Sequence, residues 1–208
     1  MSDLPLIGYE CLTVILPLLV TFWIMLAVYR HKKMSQAKTR FLMLLIFALY
    51  ISAVFYFTGA GTIYDLMRNG ILIDAEKINY FSFSRDIDVV GYFLNILLFV
   101  PFGVLVPLIW SNKKGLGYTL LSGFSFSLLI ELSQLFNNRQ SDVDDLLLNT
   151  LGALIGYLLF RIFANLTKKA VRPVNHLKCE GSIYIFAMFL GHFLMFNELC
   201  MAKIIYGL

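Results

Sequence analysis

The chain has 208 residues, 59% hydrophobic and only 14% charged, with a formal net charge of +4 at pH 7. Soluble domains average about 45–50% apolar and about 25% charged residues, so this composition leaves too little polar surface for a water-soluble fold. The basic residues sit in short segments between apolar runs and form no soluble basic domain, which argues against a nucleic-acid partner.

Six runs carry no charged residue: 12–29, 41–64, 89–112, 115–130, 146–160 and 181–197. A bilayer core needs about 20 apolar residues of helix. The first three runs meet this or nearly so. The fourth does if Glu131 and Gln134 are allowed inside, and the fifth if it starts at Asp142 and ends at Arg161. The sixth, 183 to about 206, carries His192, Asn197, Glu198 and Lys203. The expectation is an all-α polytopic membrane helix bundle of about six transmembrane helices, one membrane domain over 1–208. The opening "MSDLPLIGYE" has no basic residue before the apolar run and no small-residue cleavage site follows, so the first helix is expected to stay in the protein.

Lysine and arginine set the orientation. Segments 30–40, 111–115 and 161–178 hold five, two and five of the 17 such residues. If the helices alternate, all of these lie on one side, and the positive-inside rule makes that side cytoplasmic. Both termini, and loops 65–88 and 137–141, are then expected outside. Cys11, Cys179 and Cys200 form no paired motif, and free buried thiols are expected.

In loop 65–88, Leu66 and Met67 followed by Gly70 predict a short interfacial helix, while Tyr80, Phe81 and Phe83 suit the headgroup level. The third run, "NILLFVPFGVLVP", holds Asn95, Pro101, Gly103 and Pro107. Pro101 cannot donate to the Leu97 carbonyl, so a kink is expected there, and Gly103 permits close backbone approach.

Chemistry concentrates in the fourth and fifth runs. Gly123, Ser127, Glu131 and Gln134 follow steps of 4, 4 and 3, one helical face. In "SDVDDLLLNTLGALIG" (141–156), Asp142, Asp145, Asn149, Gly152 and Gly156 fall on one face as well. Ser141 can cap that helix, with Asp144 completing a weak capping box, and the three acids suit the positive end of the helix dipole. A hairpin pivoting near 139–140 puts Glu131 opposite about residue 148 and Gln134 opposite about 145. Glu131 and Asn149 are then about 8–10 Å inside the outer end. A carboxylate at that depth costs on the order of 2–3 kcal/mol without partners. It therefore reads either as functional or as a polar clasp between the two helices. Gly152 and Gly156 form a small-xxx-small pair expected to give a close helix contact. Arg139, in the connecting loop, can neutralise the acids or meet an anion from outside.

His31 and His176 belong to basic loops, and His192 is expected to pack or bond a neighbour. No nucleophile–His–acid set, phosphate-cradling glycine loop or zinc spacing is present, so no catalytic constellation is recognised and no cofactor or metal is expected. Asp142, Asp145 and Glu131 could hold a hard cation such as Mg²⁺, although acids alone are a weak signal.

The segments "YFLNILLFVPFGVLVP" and "ELSQLFNNRQSDVDDLLLNTLGALIGY" together resemble the VanZ-like family of bacterial membrane proteins. The first is similar to that family's N-x3-F-x-P-x-G element, here Asn95, Phe99, Pro101 and Gly103, closed by Pro107. The second is similar to E-x2-Q followed by R-x2-D-x2-D-x3-N-x2-G-x3-G, here Glu131, Gln134, Arg139, Asp142, Asp145, Asn149, Gly152 and Gly156. The resemblance covers about 79–160. Members often carry an Asn-Leu-x-Pro-Phe-like segment before it, and "NYFSF" (79–83) has Ser82 where the proline would fall. The resemblance implies a multi-pass protein of the bacterial plasma membrane, with founding relatives linked to resistance against the lipid-tailed glycopeptide teicoplanin more than vancomycin. It implies no established reaction or cofactor.

The function expected is binding at an outward-facing polar pocket built from the third, fourth and fifth helices. Its ligand would be a lipid-linked headgroup, such as a cell-wall precursor, or an amphiphilic glycopeptide, with membrane lipids as neighbours. Asn95, Glu131, Gln134 and Asn149 would give hydrogen bonds, Arg139 an anion contact, and Asp142 and Asp145 an amine or cation contact. Phe99, Pro101, Gly103, Pro107, Gly152 and Gly156 would frame the site. The alternatives are an enzyme acting on a lipid or lipid-linked phosphate through the acids, favoured by metal-dependent activity, and a lipid transporter or flippase. The last would want a polar path through the inner leaflet, yet below Asn149 the helix reads leucine, alanine, isoleucine and glycine.

Overall fold

The computed structural model describes residues 4–32, 38–70, 78–79, 89–110, 115–137, 141–167, 177 and 179–206. Helices dominate these residues: α1 (Leu4–His31), α2 (Lys38–Thr58), α3 (Ile63–Asn69), α4 (Val89–Ile109), α5 (Gly115–Gln134), α6 (Val143–Leu166), α7 (Glu180–Met195) and α8 (Glu198–Tyr206). One two-residue parallel pairing joins β1 (Ile78–Asn79) to β2 (Ser141–Asp142). Among the described residues, five segments are long and apolar enough to cross a membrane: Leu4–His31, Arg40–Asn69, Val89–Ile109, Gly115–Gln134 and Val143–Leu166. The final segment passes the same test only as the pair α7 and α8, bent by 55°. The protein is thus an all-α polytopic membrane protein. The sixth run read from the sequence, 183 to about 206, consists of two helices meeting at that break.

Two compact units divide the chain: Met1–Ile73 with Ser133–Arg139 and Ile183–Leu208, and Asp74–Leu132 with Gln140–Ser182. In the first unit, α7 lies close on α1. A Cβ added at Gly191 would stand 2.1 Å from Pro17 Cγ and 2.5 Å from Thr13 O, so only glycine admits this approach. The break between α7 and α8 has a local cause. Asn197 Oδ1 accepts from Cys200 N at 3.0 Å, which starts a new helix at Glu198. The Tyr9 hydroxyl, on α1, donates to Met195 O and accepts from Asn197 N at 3.2 Å, holding both sides of the break.

The short helix expected near Leu66 and Met67 is α3. Thr62 caps it, its Oγ1 accepting from Asp65 N while Asp65 Oδ2 accepts from Thr62 N at 2.8 Å, and Gly70 ends it at φ +69°. Thr62→Ala is expected to lose about 1 kcal/mol locally. Faster amide hydrogen exchange over 63–69, with the rest of the chain unchanged, would check this. Tyr80, Phe81 and Phe83 of the same loop lie outside the described residues.

In the second unit, α4 runs unbroken through Pro101 and Pro107, with Pro101 on its exposed face and Phe102 and Gly103 buried. Its opposite face meets α6 backbone to backbone. A Cβ at Gly152 would stand 2.2 Å from Ile96 O, one at Gly156 2.1 Å from Val100 O, and one at Gly103 2.1 Å from Ala153 O. The step from Ile96 to Val100 matches the step from Gly152 to Gly156 in the same direction, so α4 and α6 run parallel. Alternating spans require that arrangement of the third and fifth. Phe99, Phe102 and Phe126 fill the space between α4 and α5, their ring centroids 5.7–5.9 Å apart.

The three cysteines are free, but only Cys11 is even partly covered; Cys179 and Cys200 are exposed, which corrects the expectation of buried thiols.

Candidate functional site

The polar residues of the second unit gather where α6 begins. Ser141 was expected to cap this helix. It is instead paired in β2, opposite Ile78, so the helix starts one residue later. Asp142 is the cap, its Oδ1 accepting from Asp144 N at 2.9 Å.

Asp144, expected to be an ordinary acid at a helix N-terminus, is 1% exposed and accepts from the Tyr92 hydroxyl at 2.8 Å. Tyr92 lies on α4, three residues before Asn95, and Asn95 Nδ2 donates to Asp145 Oδ1. One helical turn of α4 thus grips the first turn of α6 through two neutral donors and two carboxylates. Charge-assisted hydrogen bonds of this kind are stronger than neutral ones.

The other wall is α5. Glu131 is buried, and its Oε2 accepts from Asp142 N at 3.1 Å. The capping residue of α6 is therefore a partner of Glu131, because α5 ends at Gln134 and the pairing lies nearer the helix ends than a pivot at 139–140 would put it. One turn deeper, Asn149, 2% exposed, donates from Nδ2 to Ser127 Oγ at 2.9 Å. Gly123 continues this face, where a Cβ would stand 3.0 Å from Ala153 Cβ. The Ser127–Asn149 bond is expected to contribute about 0.6 kcal/mol. A double-mutant cycle of Ser127→Ala and Asn149→Ala, read by thermal denaturation in detergent, measures it.

Of the residues expected in the site, Asn95, Glu131, Asp142, Asp145 and Asn149 come together in the second unit. Gln134 belongs to the first, where its Nε2 donates to Thr58 O at 2.8 Å. Arg139 lies outside the described residues, as do residues 80–83 of the "NYFSF" stretch. Phe99, Gly103 and Pro107 are buried, Pro101 is exposed, and Gly152 and Gly156 are buried in the α4 contact. Tyr92 was missed, while Ser127 was read only as part of the α5 face and Asp144 only as a capping acid. Tyr92 carries a legible signal: it is a hydroxyl one turn before Asn95 on an otherwise apolar helix. Asp144 carries none, because its burial depends on Tyr92 of another helix.

Among the described residues, no group of three or more His, Cys, Asp or Glu is placed to hold a metal ion. The first-turn acids are directed apart, Asp144 to Tyr92 and Asp145 to Asn95.

A second feature was not anticipated. A cavity of about 870 Å³ lies in the first unit, lined by both charged and apolar side chains including Glu10, Arg68, Glu198, Phe55 and Phe196.

Apolar spans with glycine-mediated contacts and a carboxylate-rich helix start define a multi-pass membrane protein held by buried polar clasps. A family model described as VanZ/LLP1 matches residues 12–164. The chain belongs to the VanZ/LLP1 family, and the match begins within α1, well before the 79–160 stretch that carries the motifs. No curated protein and no solved structure matches the chain.

Proposed function

We propose that this protein binds an amphiphilic component of the bacterial cell envelope, a lipid-linked headgroup or a lipoglycopeptide, in the plasma membrane, and so lowers susceptibility to teicoplanin. Both termini face outside in this reading, which puts the start of α6 at the outer leaflet. The observation that supports it is the concentration of carboxylates around the start of one membrane helix. Glu131, Asp142, Asp144 and Asp145 are grouped with Tyr92 and Asn95 in helices that are otherwise apolar. A clasp alone needs only hydroxyls and amides, as Ser127 and Asn149 show on the same helices. Carboxylates at a membrane edge cost more than those groups do, and they attract an amine or another cation. Family membership supports the teicoplanin connection.

The test is growth inhibition by teicoplanin and by vancomycin in a sensitive host. It compares wild type with the double variant Glu131→Gln, Asp145→Asn at matched membrane levels. Both replacements keep an acceptor oxygen and remove the charge. Wild type is expected to raise the inhibitory teicoplanin concentration at least fourfold and the variant to lose that protection. Equal protection by the two proteins would sink the proposed site, and absence of protection by wild type would sink the resistance role.

A further inference from the structure

We propose that the cavity in the first unit is a second binding site, selective for a primary ammonium group carried on an apolar chain. The inference goes beyond the proposed function and does not rest on the second unit.

It begins with a buried carboxylate that has no hydrogen-bond donor among the described residues. Glu10 of α1 is 5% exposed and lines the cavity. Its nearest counterpart is His192 Nδ1 of α7, 3.8 Å from Oε1 and so beyond hydrogen-bond range. The imidazole is fixed from its other side. Nε2 stands 3.3 Å from Ala60 O, and a carbonyl oxygen can only accept, so Nε2 carries the hydrogen. Nδ1 of the neutral ring is then an acceptor, buried and with no hydrogen-bond partner among the described residues. Stacking of the ring between Phe55 and Phe196, with centroids 4.4 and 5.0 Å away, prevents it from turning to find one.

The Glu10 carboxylate, which lines the cavity, is satisfied by a group that donates to it there; His192 does not line the cavity, and its sealed Nδ1 offers Glu10 no hydrogen from behind. A primary ammonium has three N–H donors and a positive charge to match the Glu10 carboxylate. A trimethylammonium has the charge and no donor. The cavity supplies the remaining recognition. Glu198 lines it as a second carboxylate. Leu6, Ile7 and Leu199 give apolar lining for a hydrocarbon chain. Arg68 also lines the cavity and makes no ion pair among the described residues, so it can take the phosphate of a zwitterionic head.

The purified chain in phosphatidylcholine nanodiscs tests this, with dodecylamine and dodecyltrimethylammonium as probes and the shift of the melting temperature as readout. Dodecylamine is expected to raise the melting temperature saturably, and dodecyltrimethylammonium to leave it within error. Glu10→Gln should weaken the dodecylamine response at least tenfold. Glu198→Gln, an exposed change that leaves the helices intact, should weaken it about threefold and covers the case in which the Glu10 variant fails to fold. Adding phosphatidylethanolamine to the nanodiscs distinguishes the sources of the group. Competition with dodecylamine identifies an aminophospholipid, and its absence a free long-chain amine. Equal responses to the two detergents, or full response in both variants, would overturn the proposal. So would no response of wild type to dodecylamine. None of these readouts depends on teicoplanin, so failure here is separable from failure of the proposed function.

Discussion

Replacing Gly156 with leucine is expected to destabilise the second unit strongly. The Cβ alone would stand 2.1 Å from Val100 O and 2.9 Å from Gly103 Cα. Both obstacles are backbone, so no rotamer change relieves them, and α4 and α6 would have to separate along their whole contact. Overpacking of side chains costs about 1–3 kcal/mol. A clash with backbone belongs at or above the top of that range, and the melting temperature in detergent should fall by about 10 °C. Gly117→Ala is the control. It lies on the exposed face of α5 with nothing within 4 Å of a new Cβ, and should hold or gain about 0.5–1 kcal/mol through reduced backbone entropy. If Gly156→Leu melts with wild type, the parallel contact of α4 and α6 is wrong.

The second large effect is at Glu131. Its carboxylate accepts from the amide of Asp142, the capping residue of α6, and is itself buried. Glu131→Ala removes the acceptor and leaves a backbone donor unsatisfied, at a cost of about 1–3 kcal/mol. Glu131→Gln keeps an acceptor oxygen and should cost less than about 1 kcal/mol. Melting curves of the two variants under identical detergent conditions decide between a role through hydrogen bonding and one through charge. Equal losses would mean that the charge itself holds α5 to α6. A stable Glu131→Gln protein is also what makes the drug-susceptibility test interpretable.

The helical spans were legible in the sequence because a bilayer leaves few choices. With no water to satisfy backbone groups, each apolar run of about 20 residues becomes a helix. The glycine contacts were legible for a related reason: Gly152 and Gly156 recur at a helical step, and only a bare Cα lets two backbones meet. The break at Asn197 was not resolved, because an asparagine in an apolar run reads equally as a tolerated polar residue and as the cap of a new helix. Tyr9, 188 residues away, decides between them by holding both sides.

The candidate site was legible as a set of residues and much less so as a set of bonds. Steps of three and four put Asp142, Asp145 and Asn149 on one face whatever surrounds them. Which donor each acid meets depends on the rotation and register of the neighbouring helices. That is why Tyr92 was missed, why Asp144 was read only as a capping acid, and why the bond from Asp142 N to Glu131 was not foreseen. The cavity beside Glu10 lies further still from the reach of a linear reading. Its lining comes from α1, α2, α3, α8 and the segment after α5. Sequence alone determined the solvent, the spans, the small-residue seams and the faces that carry polar groups, since these follow from local composition and helical period. Only the tertiary structure decided which groups pair and where space is left between them, since those follow from how helices distant in the chain turn toward one another.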